Sequence, residues 1–206
     1  VYVYCKSGKM VTVMFVLPQS NVTVEDDNNK MIYFAKKSVS DLIHDEDSDY
    51  FEYQAIVNGE IKTIKVDETV GKTLSGLYKS FTTDKYGVVS KTPSTYANYD
   101  EDNNDTKQVL EGKGIDKTSK EYTVSIGYNE DGNGKVTYAD VITVDDNAKI
   151  YYVDKDGNIS ESSYKSITKD SNDMVYAIVE DNLVKFLVIE EVPTEKDNAS
   201  GTATVT

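Results

Sequence analysis

The residues whose types and spacing come nearest to a chemical site run from Asn129 to Asp140, in the order Asn-Glu-Asp-Gly-Asn-Gly-Lys-Val-Thr-Tyr-Ala-Asp. Against the twelve-residue calcium loop, Asn129, Asp131 and Asn133 offer oxygens at the first, third and fifth positions. Gly134 stands at the sixth, where the chain must bend sharply, Val136 at the eighth and the acid Asp140 at the twelfth. A hard cation needs several oxygens converging within a short loop, so calcium is the one cofactor this spacing suggests. Two departures oppose it. Asn at the first position and Asp at the twelfth lower the charge and the chance of bidentate ligation. The preceding Glu121 to Ile126 alternates like a strand, where the calcium motif takes a helix. The stronger reading is a polar hairpin loop that binds nothing.

Other reactive groups are sparse. His44 is the only histidine and lies in a polar connection beside Asp45, so any histidine-based metal, nucleophilic or acid-base chemistry would rest on a residue that reads as surface. Cys5 is the only cysteine and sits among strand-forming residues, as a small hydrophobe would. Acids cluster at Glu25 to Asp27, Asp45 to Asp49, Asp100 to Asp105, and Asp154 with Asp156, where solvated turns are the ordinary explanation. No pair of carboxylates stands out for glycoside hydrolysis, and no tryptophan offers a sugar-stacking platform. Tyrosine, at 16 residues, could stack on sugars instead, but Tyr33, Tyr53, Tyr151, Tyr152 and Tyr176 fall within strand patterns, where cross-strand packing accounts for them. An enzyme is not expected.

The surrounding composition narrows the partners. Across 206 residues, 22 Lys plus Arg oppose 36 Asp plus Glu, a formal net charge of -14. Such a chain repels phosphate backbones and anionic lipid heads, so neither nucleic acid nor membrane insertion is expected. All its cations are lysine, so the bidentate fork with which arginine grips phosphate is missing. Val1 opens inside a strand pattern, which suggests that something precedes it.

The elements that must carry these residues are hairpins. Tyr53 to Val57 and Ile61 to Val66 flank Asn58-Gly59, a dipeptide that readily takes the positive φ angles of a type I′ turn, and the same pattern returns as Val175 to Glu180 and Leu183 to Ile189 around Asp181-Asn182. Val1 to Cys5 with Met10 to Val16, and Tyr122 to Tyr128 with Lys135 to Val141, are two more. Val22-Thr23-Val24-Glu25-Asp26-Asp27-Asn28, Ala55-Ile56-Val57 and Ile64 to Glu68 recur as Ile142 to Asn147, Ala177-Ile178-Val179 and Leu187 to Glu191. One folding unit is thus used twice. The expectation is a mainly β chain of two related small antiparallel barrel- or sandwich-like domains, residues 1–67 and 119–192, with a tail at 193–206. Val70, Leu74, Leu77, Tyr78 and Phe81 are spaced by three and four, which predicts a helix in a connection over 68–118.

The phrases Tyr53 to Asp67, Ala148 to Gly157 and Val175 to Glu190 resemble the β-rich repeats of large surface proteins from gut Firmicutes, which often carry S-layer homology domains elsewhere; no such domain is recognisable in this chain. The resemblance implies an extracellular, non-enzymatic segment at the bacterial cell surface. It would space or present neighbouring domains of a larger chain and meet cell-envelope protein or glycan partners. The alternatives are a carbohydrate- or calcium-dependent adhesion module and, further off, a carboxylate-pair glycosidase.

Overall fold

The computed structural model describes residues 2–6, 10–15, 31–46, 48–100, 107–129 and 136–193. The first hairpin, β1 (Tyr2–Lys6) and β2 (Met10–Phe15), pairs antiparallel as expected, but as a two-stranded sheet of its own. A first unit follows, built from β3 (Ile32–Phe34), β4 (Ile43–His44), β5 (Asp49–Val57), β6 (Glu60–Asp67), β7 (Gly76–Tyr78) and β8 (Val88–Val89). Its sheet order is β7-β3-β5-β6-β8, with β4 on β5 and only the β6–β8 pairing parallel. A bridge between Thr83 and Val89 brings the continuation of β7 against β8, so the sheet curls towards a partly open barrel. Ile32, Phe34, Tyr53, Val66, Leu74 and Val89 fill its inside.

No helix forms over 70–81, which corrects that expectation. Gly71 and Gly76 both take left-handed backbone, at φ 78° and 80°, and interrupt any helical run. The Asp67 side chain accepts the Thr69 amide at 2.8 Å, turning the chain instead of starting a helix. Val70, Leu74, Tyr78 and Phe81 still reach one core, which is why they share a helix-like spacing. Leu77 faces the opposite way into a different core, the two-residue alternation of a strand.

The second unit comprises β9 (Ala97–Asn98), β10 (Gln108–Lys117), β11 (Thr123–Asn129), β12 (Val136–Val153), β13 (Ile159–Ser162), β14 (Asp170–Glu180) and β15 (Leu183–Glu190). The order is β11-β10-β14-β15-β12-β13, and β11 also pairs with β12, so the sheet closes on itself. Ile115, Val124, Ile142, Ile150, Val175 and Leu187 line the interior. The segment 68–118 therefore does not stand apart. Its first part completes the first sheet, its last part enters the second, and the change of sheet falls between Val89 and Ala97.

Both turn dipeptides behave as their chemistry dictates. Asn58 and Gly59 have φ 50° and 80°, and Asp181 and Asn182 have 54° and 58°, all left-handed, as a type I′ turn requires. Each unit also carries a short 3-10 turn, Lys36–Ser38 and Tyr164–Ser166, a further echo of the repeat. The repeated phrases do not pair alike, however. β3 lies antiparallel on β5, whereas its counterpart Ile150 to Val153 lies parallel on β15.

A third core joins the units. Tyr33, Ala35, Ile56 and Leu77 of the first pack against Tyr151, Val153, Tyr176, Ile178, Phe186 and Val188 of the second. Gly76 sits against it, where an added Cβ would lie 2.9 Å from the Tyr176 ring. Gly76→Ala combines that clash with a left-handed backbone, and we expect it to cost about 1–3 kcal/mol, read as a lowered urea midpoint at unchanged slope.

Candidate functional site

The seam between the units brings several polar side chains together, and strand alternation places them there. Along β12, Ile150 turns into the second barrel while Tyr151 turns to the seam; along β15, Leu187 and Ile189 turn in while Phe186 and Val188 turn out. The Tyr151 hydroxyl donates to the Gly59 carbonyl at 2.6 Å, and the Lys149 ammonium donates to the same oxygen at 3.3 Å. A side chain at position 59 would overlap Lys149, with Nζ 2.5 Å from an added Cβ. Glycine there serves both the turn and the approach of the neighbouring unit.

At the far end of the seam the Tyr33 hydroxyl donates to Glu190 Oε2 at 2.8 Å. Burial, and then the Glu190 charge, push the Tyr33 phenol far above its ordinary range. Tyr176, 5.5 Å from Tyr33 between ring centres, is pushed up for the same reasons. Beyond Val153, the tight turn at Asp154 to Asn158 also abuts the first unit: Lys37 donates to the Lys155 carbonyl at 3.1 Å, and a Cβ on Gly157 would lie 2.7 Å from the Ser38 nitrogen.

Beside Gly59 the seam opens into a cleft of about 370 Å³. Met31, Tyr96, Ile178 and Phe186 form apolar wall, and Asn58, Asn147, Lys107, Lys149, Lys185 and Glu180 supply the polar groups. Two register shifts shape it. β12 advances from Val144 to Lys149 while β15 advances only from Val184 to Phe186, so the repeated acidic phrase at Asp145 and Asp146 bulges outward. On β15, Ile178 pairs with Phe186 but Val179 with Val184, which leaves Lys185 as the extra residue, its ammonium 2.6 Å from Asp145 Oδ2. That hydrogen bond lowers the Asp145 pKa and raises that of Lys185. Lys107 faces Glu180 at a looser 3.7 Å. Burial, with Glu180 nearby, pushes the Tyr96 phenol up to about 12.

Neither the described ends of the candidate calcium loop nor His44 nor Cys5 lines the cleft. Asn129 ends β11 and Asp140 falls within β12, so strands flank the candidate calcium loop on both sides; Asp131 and Asn133 are outside the described residues. His44 is exposed on edge strand β4, with Nδ1 2.8 Å from Asp49 Oδ2. Cys5 lies in β1. Asp45 accepts the Glu46 amide, and Asp154 accepts the amides of Asp156 and Asn158, the ordinary work of turn acids. Glu25 to Asp27 and 101–105 fall outside the described residues. Among the described residues, no three His, Cys, Asp or Glu side chains gather as metal ligands.

Tyr33, Tyr53, Tyr151 and Tyr176 are buried, as packing residues should be, and Tyr152 is half-buried. The cleft lysines carried no signal in the sequence, since they come together only through bulges and the docking of two units. No family model, characterised protein or solved structure matches the chain.

Two measurements probe the seam. Tyr151→Phe leaves the buried Gly59 carbonyl without its closest donor, an expected loss of about 1–2 kcal/mol in denaturant titration. The raised phenol of Tyr96 makes folding favour its protonated form. Its stabilisation is full below pH 10.0, the ordinary value, and is lost as pH climbs to about 12. Tyr96→Phe should flatten the fall of stability over that window, followed by circular dichroism; an unchanged slope would assign the alkaline loss to other groups.

Proposed function

We propose that this chain is a structural and interaction segment of an exported bacterial cell-surface protein, without enzymatic activity, in which two fused β units act as a rigid spacer for neighbouring domains. The observation that carries this reading is the third core. Tyr33, Ile56, Tyr151 and Val188 are buried between the units, at 0%, 0%, 2% and 0% exposure, so neither unit keeps a complete surface without the other. Two domains on a free linker would hold such a face in water. An acidic, lysine-only and cysteine-poor composition supports an extracellular setting, as does the likeness of the repeated phrases to surface-protein repeats.

Calorimetry tests the spacer. A shared core predicts one cooperative unfolding transition whose calorimetric and van't Hoff enthalpies agree. Ile56→Ala should weaken that whole transition by about 2–4 kcal/mol without splitting it. Two independent transitions in the parent chain would overturn the rigid spacer. For location, an antibody raised against the chain should label intact producing cells; labelling only after lysis would overturn the surface assignment.

A further inference from the structure

We infer that the cleft beside Gly59 is a binding site for an acidic saccharide unit, a uronate, whose carboxylate is held by the lysines and whose ring lies against the apolar wall. Charge makes the case first. In a chain of net charge -14, this opening gathers Lys107, Lys149 and Lys185; among the described residues Glu180 is the one carboxylate that lines it, with Asp145 at its rim. A local excess of lysine in an acidic surface draws an anion to that opening.

The lysines also keep donors in hand. An ammonium has three N–H groups. Lys149 directs one to the Gly59 carbonyl at 3.3 Å, and Lys107 stands 3.7 Å from Glu180, beyond direct hydrogen-bonding reach. Lys185 is more committed, at 2.6 Å from Asp145, and serves mainly to neutralise that acid at the rim. The remaining chemistry discriminates among anions. Phosphate would be gripped best by arginine forks, which this chain lacks, and it has no apolar face to place on Phe186 and Ile178. A sugar acid has both a ring face and hydroxyls, and the amides of Asn58 and Asn147 present donors and acceptors together at the same opening. A volume of about 370 Å³ is near the lower end of small-molecule sites, the size for one or two sugar units and not for a folded partner.

The test is titration of the whole chain with tri-galacturonate, read by amide shifts in NMR and by calorimetry, alongside neutral galactotriose, inorganic phosphate and a short poly-glutamate. The expected result is shifts centred on Gly59 and Asn147, binding that weakens with salt, and an affinity loss of about tenfold in Lys107→Gln. Lys149→Gln should lose affinity as well, with its fold checked by melting temperature because it also touches the seam. Lys117→Gln, at the opposite end of β10, should bind as the parent does. No shifts at Gly59 and Asn147, equal binding of the neutral sugar, or tighter binding of phosphate or poly-glutamate would each overturn the uronate site.

Discussion

Strands with two buried faces govern this molecule. In β3, Ile32 and Phe34 point into the first barrel while Tyr33 points to the seam, and all three are fully buried. In β12, β14 and β15 the same division separates Ile150 from Tyr151, Val175 from Tyr176, and Leu187 from Val188. A solvated sheet face would alternate apolar with polar; these runs are apolar at nearly every position because each face meets a core. Everything at the seam follows, including the tyrosines, whose rings fill the core while their hydroxyls find Gly59 and Glu190.

The shared core also explains why the repeat is not repeated in detail. Both units keep the hairpin, the 3-10 turn and the strand that contributes its tyrosine to the seam. They differ in which hairpin arm that strand joins, because in the second unit β10 already occupies the edge of β14 that β3 takes on β5. The counterpart strand pairs with β15 instead and must run parallel to it. Its entry requires the bulge at Asp145 to Ala148, and that bulge shapes the cleft wall. Divergence in pairing, more than in composition, distinguishes the second copy.

The hairpins were legible because their information is local. Asn58-Gly59 and Asp181-Asn182 favour left-handed backbone by their own chemistry, and the flanking β-branched runs need no distant partner to be recognised. The stretch from Val70 to Phe81 was misread because periodicity records which residues are buried and not what buries them. Four of its five apolar residues converge on one core through glycine-interrupted turns and a three-residue strand, while Leu77 turns to the seam, a path that happens to reproduce helical spacing. The strand order was equally hidden, since edges are contested between segments tens of residues apart.

By itself the sequence determined that the chain is mainly β, that several short phrases recur in it, and where its tight turns lie, because strand propensity, self-similarity and turn chemistry are properties of short stretches. Only the tertiary structure decided that the two units fuse through Tyr33, Tyr151 and Tyr176, and that Lys107, Lys149 and Lys185 meet at one opening. Those facts depend on contacts such as that between Tyr151 and Gly59, 92 residues apart in the chain, which no local pattern encodes.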